Sequence, residues 1–254
     1  MDHSIDALSA SWNETLALTW QRVAAHTKTD LNPDASHIPA ALEDATSPTI
    51  EAKSHNGKFV VLSSIAGGGK STIGKIFESM NFKRLPRVTT RVPRPGEVAG
   101  HDYEFLSKEE FDREKASGSF AYVKETYGEG RAIRKSSLDT MLASGERYYA
   151  EGDALAYATI RESDPRYADM SYVSLFLVPP SFDTARARLQ GRVQQNIDEG
   201  ADPAEVTRDI GKRLEQSIKY LDESGKHIVN GVYDGYLVND DIERVRSRLS
   251  ALFA

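Results

Sequence analysis

The chain contains no cysteine, which excludes disulfides and thiolate-held metal ions. No apolar run is long enough to cross a bilayer. The opening segment MDHSIDALSASW lacks the basic stretch and hydrophobic core of a secretory signal. A reducing, cytoplasmic setting with no membrane partner is therefore expected. Positive charge is not in excess either. With 32 Lys and Arg against 38 Asp and Glu, the formal net charge is -6, so bulk electrostatics gives no reason to expect a nucleic-acid partner, although a local basic groove stays open. Tryptophan is scarce, with two residues in 254, Trp12 and Trp20.

What is present is an ordinary balance for a folded chain, 39% hydrophobic and 28% charged. Ile5, Leu8, Trp12, Leu16 and Val23 fall near helical spacing, predicting a short amphipathic helix. The stretch after it is rich in Thr, Ser, Pro and Asp and reads as an irregular linker. Residues 1–56 are thus expected to form an amino-terminal arm, its tryptophans docked on the main domain or, alternatively, binding a partner. From Lys58 onward strands and helices alternate. The runs FVVL, RYYAE, YVSLFLV and GYLV read as strands. Ile73, Ile76, Phe77 and Met80 share one helical face, as do Leu138, Met141 and Leu142, then Phe182, Ala185 and Leu189, then Ile242, Val245, Leu249 and Phe253. Ser107 with Glu110 forms a capping box, Ser181 can cap a helix, and Gly145 can end one. This alternation predicts an α/β fold around a mostly parallel central sheet flanked by helices.

Between FVVL and the first of those helices stands SIAGGGKST, residues 64–72. The pattern G-x-x-x-x-G-K-[ST] wraps phosphates in backbone N–H groups at a helix N-terminus, with a lysine on the outer phosphates and a hydroxyl on Mg²⁺. Gly69, Lys70 and Ser71 match it, while Ser64 stands where the first glycine belongs. A nucleoside triphosphate site is expected, formed by Ala66, Gly67, Gly68, Gly69, Lys70, Ser71 and Thr72. Downstream, Arg91 and Arg94 flank Pro93 in a segment stiffened by proline. Two guanidinium forks on a stiff loop suit a phosphate dianion, and Tyr103 can add a hydroxyl.

TTRVPRPGEVAGHDYEFLSKEEF resembles the GMP-binding segment of guanylate kinases. TYG at 126–128, the acids Glu151 and Asp153, LVPPS at 177–181, RLQGR at 188–192, KRL at 212–214 and VNDDIE at 238–243 follow in the family's order. The resemblance covers roughly Lys58 to Ala254. It implies a P-loop kinase domain over 57–254, with an acceptor-binding module at about 86–150 and a helical lid at about 190–213. By the same resemblance, Lys70 and Ser71 serve ATP and Mg²⁺. Arg91, Arg94, Tyr103 and Tyr127 hold the acceptor's phosphate. Glu151 and Asp153 lie near metal and acceptor, Arg192 and Arg213 close over the transferring group, and Asn239 lies near adenine.

The departures fall where such enzymes read the base. Tyr122 stands where a glutamate is expected, Glu129 follows the Tyr127-Gly128 turn, and Arg87 replaces a small hydroxyl residue four before Arg91. Residues 193–203 lengthen the lid. Glu125 or Glu129 could take over guanine recognition, and Arg87 could face a more anionic acceptor. Three readings stay open: a GMP or dGMP kinase, a kinase for another phosphorylated small molecule such as ribose 1,5-bisphosphate or a modified nucleotide, and a non-catalytic interaction domain.

Overall fold

The computed structural model describes residues 2–27, 58–93, 96–126, 128–198, 203–230 and 232–253. Arg94, Tyr127 and the expected linker at 28–57 lie outside them. The chain divides into two compact units. One holds α1 (Asp2–Thr27), Ser63–Lys70 and Ser174–Ala254; the other holds Asn56–Leu62 and Ser71–Val173. Among the described residues no helix is long and apolar enough to cross a membrane.

Strand β1 (Phe59–Ser64) contributes to both units and is buried from Phe59 to Ser63. Its near-continuous apolar run is what a strand covered on both faces requires. Helix α2 (Lys70–Ser79) follows and buries Ile73, Ile76 and Phe77. Met80, expected on the same face, falls one residue past the helix end. β2 (Lys83–Arg84) and β7 (Tyr148–Glu151) complete this side of the sheet. β7 pairs in parallel with both β2 and β1, in register from Phe59↔Tyr148 to Leu62↔Glu151. In the other unit β8 (Val173–Val178), buried throughout, pairs in parallel with β9 (Gly235–Val238). The strand order is β2-β7-β1-β8-β9, with the shared strand in the middle. Parallel neighbours need crossover connections, which is why helices alternate with these strands in sequence.

A second sheet, in the order β4-β3-β6-β5, joins β3 (Arg87–Thr89), β4 (Tyr103–Phe105), β5 (Phe120–Thr126) and β6 (Glu129–Arg134). Its pairings are parallel between β3 and β4 and antiparallel elsewhere. One face packs on α3 (Lys108–Ala116) through Val88, Phe111, Phe120 and Ala132, with Leu106 and Val123 at the edge. Strand alternation therefore turns Arg87, Tyr103, Tyr122 and Lys124 to the opposite face. Helix α3 starts with the expected capping box, Ser107 accepting from the Glu110 N–H and Glu110 from the Ser107 N–H.

Helix α4 (Lys135–Ser144) buries Leu138 and Met141 and ends at Gly145, whose φ of 67° is left-handed. Leu142, expected on the same face, is exposed: at one residue from Met141 it lies about 100° round the helix. Helix α5 (Ala154–Ser163) is capped by Asp153, which accepts from the Leu155 N–H. In the other unit α6 (Phe182–Asp198) starts where Ser181 accepts from the Thr184 N–H, and it buries Phe182, Ala185 and Leu189. Helices α7 (Pro203–Val229) and α8 (Ile242–Phe253) follow. Val245, Leu249 and Phe253 of α8 are buried as expected, whereas Ile242 in its first turn is partly exposed.

Helix α1 is not short but runs for 26 residues, a stretch free of glycine and proline. Trp12 is fully buried and meets Phe182 edge-on, ring centres 5.5 Å apart. Thr19 donates to the Leu221 carbonyl at 3.4 Å, and Arg22 pairs with Asp222 at 2.5 Å, so α1 lies along α7. Trp12 thus docks within its own unit, as expected; the side chain of Trp20 is outside the described atoms. Trp12→Ala is expected to cost about 3–5 kcal/mol in urea unfolding of the whole chain, and a loss under about 1 kcal/mol would show that α1 lies on α7 without being integral to the fold.

Candidate functional site

The turn between β1 and α2 is built by glycine. Gly67 and Gly69 have φ of 76° and 89°, a region that side-chain-bearing residues rarely adopt. A Cβ on Gly67 would stand 2.7 Å from the Ala185 carbonyl oxygen, and one on Gly69 would stand 2.1 Å from Asn239 Nδ2. The loop is held from behind by its own unit. Arg188 on α6 donates to the Gly67 carbonyl at 3.3 Å and to the Asn239 carbonyl at 2.8 Å. Asn239, just past β9, donates to the Gly68 carbonyl at 2.9 Å. Ser217 on α7 accepts from the Ala66 N–H at 3.2 Å and donates to the Arg213 carbonyl one turn back, at 2.7 Å. Burial pulls the Arg188 guanidinium below its ordinary pKa.

Lys70 reaches back to the Ser64 carbonyl at 3.2 Å. Ser71 and Thr72 are exposed in the first turn of α2. Arg213 is partly buried on α7, and Arg192 lies on α6 with its side chain outside the described atoms. Ser64 causes no strain: it ends β1 as an extended residue, and its hydroxyl donates to the Ile65 carbonyl at 2.9 Å. It does claim space. A Cβ on Gly68 would lie 1.7 Å from Ser64 Oγ, so the serine at 64 and the glycine at 68 are mutually dependent.

The second unit carries the other expected residues on the polar face of the four-stranded sheet and beside it. Arg91 binds both oxygens of Glu97, at 2.8 and 2.9 Å, and also the Val92 carbonyl at 2.6 Å. The guanidinium carbons of Arg87 and Arg91 lie over the Tyr103 ring, 5.6 and 5.4 Å from its centre. Arg87 donates to the Tyr103 hydroxyl at 3.2 Å. Burial works against its charge, but the Tyr103 and Tyr157 oxygens and Glu151 outweigh it, so the pKa is raised. Glu151, only 7% exposed, pairs with Arg84 at 2.8 Å, and Arg84 also binds Asp102. Asp153, besides capping α5, lies 3.9 Å from Lys124. Burial, and then Asp153, push the Tyr122 phenol up. Glu125 binds Lys115, with Lys108 at 3.7 Å, on the α3 side of the sheet. Glu129 pairs with Arg131 at 2.9 Å.

Sequence reading missed Arg188, Ser217, Arg84 and Glu97. Only Glu97 and Arg188 lay inside quoted motifs.

A parallel-stranded α/β sheet whose central strand runs into a braced glycine loop, and then into a helix headed by Lys-Ser-Thr, defines the P-loop kinase class. The profile of the guanylate kinase family matches residues 56–254. The chain is 30% identical over 198 residues to a guanylate kinase of Symbiobacterium thermophilum, covering 77% of this chain and 84% of that one. It is 31% identical to those of Neisseria gonorrhoeae, covering 76% and 85%, and of the Wolbachia of Brugia malayi, covering 79% and 94%. The crystal structure of guanylate kinase from Anaplasma phagocytophilum aligns with a TM-score of 0.53 at 25% identity, over 78% of this chain and 84% of that one. The chain belongs to the guanylate kinase family and is a nucleoside monophosphate kinase.

Gly68→Ala is expected to lower kcat/KM for the nucleoside triphosphate by about tenfold or more, since its Cβ would displace the Ser64 hydroxyl, 1.7 Å away. Adding Ser64→Gly should restore most of the loss, and steady-state kinetics on the two single variants and the double variant measures that coupling.

Proposed function

We propose that the protein transfers the γ-phosphoryl group of ATP to the phosphate of GMP or dGMP, giving the diphosphate and ADP. The observation that carries this reading is the braced glycine loop heading α2 with Lys70, in a chain of this family. We further assign the domain to residues 57–254, with the acceptor module at about 86–150, the lid at about 190–213 and residues 1–56 as an added arm, and we take the compartment to be the cytoplasm.

In this reading the loop 66–69 and the amino end of α2 receive the triphosphate on backbone N–H groups. Lys70 sits beside the outer phosphates, Asn239 lies by the adenine, and Arg192 and Arg213 neutralise charge on the transferring group. Arg91, Arg94, Tyr103 and Tyr127 hold the acceptor's phosphate, with Arg87, Glu151 and Asp153 around the rest of it. That phosphate is already anionic, so alignment and charge neutralisation carry the rate and no strong general base is needed. Mg²⁺ fits the donor set. Ser71 offers an exposed hydroxyl, and no cluster of three or more His, Cys, Asp or Glu among the described residues could hold a metal by itself. That suits an ion bound mainly by phosphate oxygens and water. When bound, it would neutralise charge on the phosphates.

The test is ADP release with Mg²⁺ and ATP against GMP, dGMP, AMP, UMP, CMP and ribose 1,5-bisphosphate. Turnover confined to GMP and dGMP is expected; turnover of the sugar bisphosphate alone would replace this reading with the small-molecule one. Lys70→Ala should lower kcat by roughly 10²-fold or more with an unchanged circular dichroism spectrum, and turnover equal to the parent would remove the role given to that lysine.

A further inference from the structure

We propose that Arg87 selects the base by donating two N–H groups to O6 and N7 of guanine. The inference rests on the guanine-nucleotide reading and deepens it by naming the residue, and the edge of the base, on which selection turns.

Three arginines lie in the same region, and two of them are spoken for. Arg84 pairs with Asp102 and Glu151, and Arg91 with both oxygens of Glu97. Arg87 has no carboxylate within 4 Å among the described residues; its one side-chain hydrogen bond there goes to the Tyr103 hydroxyl. A guanidinium carries five N–H donors in a rigid fork, and the Tyr103 hydroxyl takes one of them. The fork is also held in place. It lies over the Tyr103 ring and packs closely against Gly152, where a Cβ would stand 3.0 Å from Arg87 Nη1. A partly buried cation kept without an ion pair is costly unless something else satisfies it.

The geometry of the fork selects the partner. Guanine offers two adjacent acceptors, O6 and N7, whereas adenine sets an amino donor beside N7. The charge around Arg87 favours a neutral edge over a second phosphate. Arg84, Arg87, Arg91 and Lys124 are matched in number by Asp102, Glu151, Glu97 and Asp153 among the described residues. Among the described residues, the carboxylates of β5 and β6 are already paired. Glu125 is turned to Lys115 and Lys108, Glu129 is held by Arg131, and Tyr122 occupies the intervening position on the polar face. Selection then rests on O6 and N7, and the 2-amino group contributes little.

The experiment compares kcat/KM for GMP, 7-deaza-GMP, which replaces N7 by C–H, and IMP, which lacks the 2-amino group, in the full chain and in Arg87→Met. For the parent, 7-deaza-GMP should be about tenfold poorer than GMP, and IMP should lie within about threefold of it. In Arg87→Met the ratio of GMP to 7-deaza-GMP should collapse toward one; being a ratio, it is unaffected by the fraction of variant that folds. Equal use of GMP and 7-deaza-GMP by the parent, a ratio unchanged in the variant, or strong rejection of IMP would each overturn the assignment while GMP turnover stood. Absence of GMP turnover would overturn the underlying reading along with it.

Discussion

A loop that turns its N–H groups toward an anion must turn its carbonyls away, and each carbonyl so turned needs a donor of its own. Much of one unit is arranged around that requirement. The Gly67 carbonyl receives Arg188, the Gly68 carbonyl receives Asn239, and the Ile65 carbonyl receives both the Gly68 N–H and the Ser64 hydroxyl. The donors come from the second turn of α6 and from the residue just past β9. Their positions are set in turn by the Ser181 cap and by the Asn239 N–H on the Val178 carbonyl, at 2.9 Å. Ser217 adds a different link, joining the loop's Ala66 N–H to the helix that carries Arg213. Removing Arg188 or Asn239 takes a side-chain donor from the Gly67 or the Gly68 carbonyl, and an unpaired buried polar group costs more than the bond itself contributes.

The other unit solves a different problem, that of holding long cationic side chains still. An arginine loses about 2 kcal/mol of rotamer freedom when fixed, and a carboxylate partner placed beforehand removes that loss from the binding step. Glu97 does this for Arg91, both carboxylate oxygens accepting from Nη2, and Asp102 and Glu151 do it for Arg84. Burial pushes the Asp102 carboxyl up, yet the Val98 N–H and the charges of Arg84 and His101 outweigh it, so the pKa is lowered. The alternation of β3, β4 and β5 serves this: Val88, Phe120 and Val123 pack with Phe111, while Arg87, Tyr103, Tyr122 and Lys124 share the other face.

Local pattern carried the elements well and the braces poorly. FVVL, YVSLFLV and GYLV are strands, Ser107 and Glu110 cap α3, and Gly145 ends α4, because each signal is a property of neighbouring residues. Met80, Leu142 and Ile242 missed for a related reason: periodicity names a stripe but not where the stripe meets the core. Contacts such as Ser217 with Ala66, or Arg188 with Gly67, join residues more than a hundred positions apart, and no spacing rule reaches them. Helix α1 runs beyond both ends of its apolar stripe, from Asp2 to Thr27, and its Thr19 and Arg22 contacts to α7 are polar.

Ser64 shows how a departure from a motif can be absorbed without losing the motif's physics. The first glycine of such a loop is useful where the backbone must be left-handed or closely approached. Here residue 64 is still extended strand, so a side chain costs nothing in conformation. What it costs is room, and that room is found four residues further on, at Gly68, whose backbone needs no glycine for its own φ. The positive-φ positions at Gly67 and Gly69 are untouched, so the loop keeps its turn. The constraint has moved from one residue to a pair, and a pairwise constraint of this kind is visible only once the loop is folded.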